Sequence, residues 1–399
     1  MKRFGTSFFI LILALAIGGC AAKKQISEFA LTRLSPSEYP DFRDDMAYSG
    51  LDECISQSLK YLGRIPKDRM FEFGKDTFSA AHIIRSLEHF RNFIAAKPSA
   101  QDLKKFIASY YIVYKSAGDE EKGQVLFTGY YEPMLEGSLN EDDEYRFPVY
   151  ACPDDLMTID LSLFSPEFKG KKITGRIFEQ TFIPYYDRKE IEQGQVLKGK
   201  AKVIAWVKDR VDLFFLQIQG SGKVRLDKGE IINVHYHSKN GHPYQSIGKV
   251  LTDAGKIPKA EMSMQKIREY LAKHPEEVET VLNANPSYIF FSKEEEGPLG
   301  AINVVLTPGR SLAVDKKMYP MSVLAFIETQ KPIADASGEI LNWSECPRFV
   351  LNQDTGGAIK GRARADLFWG SGHYAEIAAG HLQHRGNLYL LVLKPDMFQ

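Results

Sequence analysis

The chain has 399 residues, and its 51 lysines and arginines are balanced by 51 aspartates and glutamates, a formal net charge of zero. That balance lacks the basic excess with which nucleic-acid binders neutralise phosphates, so nucleic acid is excluded as an expected partner. An apolar share of 44% is ample for sizeable cores, and the length suits about two domains.

The first predicted element is N-terminal. Lys2 and Arg3 precede an apolar run from Phe8 to Ile17, shorter than the roughly 20 residues that a membrane-crossing helix needs. This basic, apolar, small-residue order predicts a secretory signal over residues 1–19. Its ending, LAIGGC, resembles the bacterial lipobox, which implies cleavage before Cys20 and lipidation of that cysteine. Two or more acyl chains anchor a protein stably where one binds marginally. Ala21, rather than an acid, follows Cys20, which implies lipid anchoring in the outer membrane, facing the periplasm. Residues 20–40 are then a polar, lipidated tether. With Cys20 assigned, Cys54, Cys152 and Cys346 allow at most one disulfide and match no zinc spacing.

Helical spacing follows: Ile83, Leu87 and Phe90 lie at i, i+4 and i+7, with Ser79 as N-cap. The stretches QVLFTGYYEPMLEGS, KVIAWVKDRVDLFFLQIQGSGKVRL and IINVHYHS are rich in β-branched and aromatic residues and read as strands. Within DLFFLQIQGSG, alternation sets Phe214, Leu216 and Ile218 on one face and Phe215, Gln217 and Gln219 on the other. SMQKIREYLAKHPEEVETVLNAN returns to helix, with Met264, Ile267 and Leu271 on one face and Pro275 dividing it in two. Beyond it YIFFSK, INVVLTPGRSLAVD, SVLAFIET, RFVLNQD and NLYLLVLK read as strands again. The pattern predicts a mainly β chain with helices (α+β): one helix-decorated β domain interrupted by a smaller β domain, with a ligand cleft between them.

Several residues could carry chemistry. Gln217 and Gln219, followed by Gly220-Ser221-Gly222, offer amides, a hydroxyl and close backbone approach to a polar ligand. Tyr130 and Tyr131 could stack on sugar rings, or could be core residues. His235 with His237, and His381 with His384, could bind a metal, but no carboxylate or cysteine of ligand spacing accompanies them. Asp354 and Asp366 flank a glycine-broken connection that can fold back and bring both acids together. Neighbouring carboxylates resist simultaneous ionisation, so one can hold a proton near neutral pH, while Lys360 or Arg364 pushes the other way. Three readings stay open on these residues. Asp354-Thr355-Gly356 is the DTG core of aspartic proteases, although a single copy would need a homodimer. The aromatics and glutamines suit a non-catalytic glycan-binding or wall-loosening module. The paired acids suit a glycan-cleaving enzyme.

LTPGRSLAVD, DTGGAIKG and ADLFWGSG together resemble the three-aspartate (3D) domain, whose signature acids are then Asp315, Asp354 and Asp366. With GYYEP and QIQGSG upstream in order, the chain resembles the membrane-bound lytic transglycosylase A (MltA) family from about residue 40 onward. The resemblance implies a double-psi β-barrel main domain, residues 41–133 and 246–399, with the 3D domain at about 300–399. It implies a smaller β-barrel inserted at 134–245, and a groove between the two. The implied reaction is exolytic, non-hydrolytic cleavage of the β-1,4 bond from N-acetylmuramic acid to N-acetylglucosamine in peptidoglycan, leaving 1,6-anhydro ends. Asp366 becomes the acid/base, Asp354 its assistant and Asp315 a structural acid. Thr128, Tyr130, Tyr131, Gln219, Gly220, Ser221, Gly356 and Lys360 become the substrate-binding set. No metal or cofactor is implied, and murein synthases are candidate partners beside the glycan strands.

Overall fold

A computed structural model describes residues 29–395, so the signal segment and Cys20 lie outside the described residues. Six strands form a closed ring in the order Val125–Glu132, Gln383–Leu393, Leu324–Ala334, Ile340–Asp354, Ser311–Val314, Arg364–Ser371 and back to Val125–Glu132. Two of these pairings are parallel, Ser311–Val314 with Ile340–Asp354 and Arg364–Ser371 with Val125–Glu132. This is the double-psi β-barrel that the resemblance implied. Ser311–Val314 is buried along its whole length, as a strand covered on both faces must be. Leu312 and Val314 belong to the main core, and Ala313 packs outward under Tyr130, Leu306 and Phe368.

Tyr111–Ser116 and then Leu31–Arg33 extend this sheet beyond Gln383–Leu393. Part of the segment expected as a tether is therefore an edge strand. The helix Ala80–Ile94 forms as its spacing predicts, and the Ser79 side chain accepts from the His82 N–H. Pro275 separates the helices Met264–Lys273 and Val278–Asn283. INVVL forms no regular strand: apart from an isolated Leu299–Val305 bridge, strand structure resumes only at Ser311.

A second sheet runs Ile289–Glu294, Ile231–Lys239, Ser221–Leu226, Met134–Ser138, Val203–Val207, Phe147–Tyr150, and the bridge from Ala151 to Phe291 returns it to its first strand. Its strands are drawn from Met134 through Glu294, past the Gln245 expected as the end of the insertion.

One expectation fails. DLFFLQIQ is not a strand but most of the helix Arg210–Gln219. Asp209 caps it, its side chain accepting from the Val211 and Asp212 N–H groups, and Gly220 closes it at φ 82°, where only glycine sits without strain. The run looks strand-like because the helix lies between two cores. Leu213 and Leu216 face one core, and Phe214 and Phe215 face the other. A helix apolar on both sides shows no 3.6-residue stripe.

Candidate active site

Strand register assembles the site. Ala313 is the register partner of Asp354 on one side and of Asp366 on the other. Asp366 in turn registers with Thr128, and Thr128 with Gln383. Directly paired residues share a sheet face, so Asp354, Ala313, Asp366 and Thr128 stand in one row. Two strand spacings of 4.7–4.9 Å put the two acids' backbones about 9–10 Å apart. Tyr130, on the same strand and face as Thr128, packs against Phe368 and spans the row, its hydroxyl donating to Asp354 Oδ2 at 2.8 Å.

The two carboxyls differ in what they touch. Asp354 Oδ1 accepts from the Ala301 and Thr355 N–H groups at 2.9 and 2.8 Å, and Oδ2 is taken by Tyr130. Asp366 lies beside the Thr128 hydroxyl, its register partner, and its Oδ1 is buried without a hydrogen-bond partner. Burial pushes both carboxyls up to about 6. At Asp354 three hydrogen bonds oppose that rise; at Asp366 the Thr128 hydroxyl and the Arg364 charge oppose it and the Asp354 charge adds to it. Asp366 can therefore be protonated near neutral pH, and one of its oxygens is engaged by no protein group. Asp354 has no such oxygen.

A carboxyl raised in the folded state binds more protons there than in the unfolded chain, so its stability contribution is present at low pH and is lost as pH climbs through about 6. Asp366→Asn, which cannot ionise, is expected to be more stable than wild type by about 1–3 kcal/mol at pH 8, with the gain vanishing toward pH 4. Thermal melts at both pH values check this, and a gain independent of pH contradicts it.

The other expected residues divide. Gln219, at the end of its helix, accepts from the Tyr131 N–H at 3.1 Å and so ties the second barrel to the Thr128 strand. Gly220 is the helix cap, and Ser221 is buried in register with His235. Gln217 is buried and does not share a face with Gln219, because the segment is helical. Tyr131 alternates away from the acid row into the main core, where the Arg268 charge lies near its hydroxyl. Gly356 and the exposed Lys360 lie on the connection after Asp354. Asp315 accepts from the Lys317 and Gly361 N–H groups at 3.0 and 2.8 Å, pinning that connection from below. Gly129 lets the strand pack tightly, since a Cβ there would lie 2.6 Å from Trp369 Nε1 and 2.8 Å from the Ala379 backbone.

Sequence reasoning missed the Ala301 N–H, a backbone donor that no side-chain motif announces. The three cysteines among the described residues are free.

Residues 126–292 match the family profile described as the MltA specific insert domain, and residues 310–392 match the 3D domain. The chain is 32% identical over 285 residues to the membrane-bound lytic murein transglycosylase A of Escherichia coli strain K12, covering 71% of this chain and 69% of that one. The chain belongs to the MltA family. The Vibrio cholerae O1 member is 31% identical over 282 residues, covering 69% and 68% of the two chains. Among solved MltA-type structures, the membrane-bound lytic murein transglycosylase of Agrobacterium tumefaciens superposes with a TM-score of 0.73 at 31% identity, covering 92% of this chain and 98% of that one. The E. coli MltA structure with bound chitohexaose gives 0.72 at 25% identity, covering 94% and 97%. The matched 3D segment contains all three signature acids, Asp315, Asp354 and Asp366.

Proposed function

We propose that this protein is a peptidoglycan lytic transglycosylase that uses Asp366 as its single acid/base. The observation that carries the reading is the contrast between Asp366, with an oxygen free, and Asp354, with both oxygens engaged. Protonated Asp366 gives its proton to the glycosidic oxygen, and the bond from that oxygen to the anomeric carbon of N-acetylmuramic acid breaks. The sugar's own C6 hydroxyl attacks the anomeric carbon and passes its proton to the Asp366 carboxylate. The acid is thereby regenerated, no water is consumed, and the product carries a 1,6-anhydro ring.

An ordinary glycosidase needs a second carboxylate to attack or to activate water. Here intramolecular attack substitutes for it, with effective molarities of about 10⁵–10⁸ M, worth roughly 7–11 kcal/mol of barrier. Asp354, held by Tyr130 and two N–H groups, supplies negative potential across the row as oxocarbenium character develops. Gln219, Ser221 and Tyr130 hold the glycan so that C6 lies over the anomeric carbon.

The relatives are named membrane-bound, and no helix among the described residues is long and apolar enough to cross a membrane. Lipid anchoring at Cys20, in the outer membrane and facing the periplasm, reconciles the two. Murein synthases are the partners such an anchored enzyme would work beside.

Mass spectrometry of digested cell-wall sacculi tests the activity. Anhydro ends are expected. Reducing ends alone would make the protein a hydrolase, and binding without cleavage a wall-loosening module.

A further inference from the structure

Arg364 lies two residues before Asp366 on one strand, so both side chains leave the same face. Its Nη2 donates to Thr128 Oγ1 at 3.3 Å. Thr128 stands in register with Asp366, so its hydroxyl lies beside the Asp366 carboxyl and holds that carboxyl's pKa down. The polarity of this chain follows from donor chemistry. A guanidinium only donates, and a threonine hydroxyl has one proton and two lone pairs. With one lone pair of Oγ1 taken by Arg364, the hydroxyl proton is left free to turn to the neighbouring carboxylate.

The other titratable groups facing Asp366 are Asp354 from the Ile340–Asp354 strand and Tyr130 from the Thr128 strand. Arg364 is the cation in this set. Its Nε is buried without a hydrogen-bond partner, so the guanidinium is kept beside the acid although one of its donors goes unused.

We propose that Arg364 is a positioning residue that acts on Asp366 through Thr128, aiming the hydroxyl proton at the carboxylate and setting the pH range over which Asp366 releases its proton. Thr128 is then part of the acid's support rather than a glycan contact. Burial and Asp354 favour the protonated carboxyl, and the Arg364–Thr128 pair opposes them, so the acid both delivers its proton and takes one back near neutral pH. The inference rests on reading Asp366 as the acid, and one experiment separates the two.

In protein carrying ¹³C-carboxyl aspartate, the Asp366 resonance is identified by its loss in Asp366→Asn, and its titration is followed by NMR alongside the pH profile of kcat/KM. Arg364→Gln is expected to move the Asp366 titration upward by about one pH unit, with the basic limb of the rate profile following. Thr128→Val moves it in the same direction, and Arg364→Lys, which keeps a charged donor, restores most of the wild-type position. An unmoved or lowered titration in Arg364→Gln, in protein with wild-type circular dichroism, overturns the inference; if that variant does not fold, an unmoved titration in Thr128→Val does so. A titration that moves while the rate profile stays put leaves the inference standing and removes Asp366 from the role of acid.

Discussion

Asp366→Asn is expected to lower kcat on peptidoglycan by about 10²–10⁴-fold, the usual contribution of a positioned general acid, with the fold unchanged. The variant should fold because the oxygen it alters has no protein partner and the Thr128 hydroxyl beside it can donate to the amide oxygen. Asparagine has no proton of suitable acidity for the glycosidic oxygen and cannot take one from the C6 hydroxyl, so both halves of the reaction lose their carrier. Asp354→Asn is expected to lose less. Its Oδ1 contacts with Ala301 and Thr355 can persist, and what disappears is a negative charge across the row. Steady-state rates on purified sacculi check the order of the two effects. Equal losses at both positions would mean that the acids act as one unit, and wild-type activity in Asp354→Asn would remove that residue from the site.

The second large effect is on stability. Asp44→Ala is expected to cost about 3–5 kcal/mol, because it strips the partner from a buried guanidinium. The Arg310 and Asp44 side chains are 0% and 1% exposed and pair through two bonds of 2.6 and 2.8 Å. Asp44 also accepts from the Phe349, Tyr48 and Met46 N–H groups, and Arg310 donates to the Phe349 and Ser49 carbonyls. Burial alone would push the Asp44 carboxyl up, but the hydrogen bond and charge of Arg310, with the Phe349 and Tyr48 N–H bonds, outweigh it and hold the carboxyl below its ordinary range. A depressed carboxyl stabilises the fold above its unfolded value and loses that contribution as pH falls through the folded one. The pair therefore makes the protein acid-labile, opposite in sign to Asp366. Urea midpoints measure the cost, and a loss below about 1 kcal/mol would place the pair among ordinary surface bridges. The position matters for the site as well. Arg310 immediately precedes Ser311–Val314, the strand whose Ala313 lies between the two acids.

What could be read in the sequence, and what could not, follows from the range of each interaction. The strand ending at Asp354, the glycine connection and the strand carrying Asp366 were visible because turn residues and β-branched runs are local signals. So were the Ser79 cap and the break at Pro275. The helix Arg210–Gln219 was not, since burial on both sides erased its stripe, and with it went the expectation that Gln217 and Gln219 share a face. The Arg310–Asp44 pair joins residues 266 positions apart, which no pattern along the chain could link. The raised pKa values of Asp354 and Asp366 needed burial to be known. The division of labour between them needed the Ala301 N–H and the Tyr130 hydroxyl to be seen on Asp354 and an oxygen without a partner on Asp366.

The central claim is that the proton of Asp366 opens the glycosidic bond while the sugar, not water, closes it. Digestion of sacculi in H₂¹⁸O followed by mass spectrometry of the released muropeptides tests this most directly. Wild-type protein is predicted to release fragments ending in 1,6-anhydro-N-acetylmuramic acid with no heavy oxygen. Fragments carrying one ¹⁸O at the newly formed end would show that water enters the reaction, and would contradict the account.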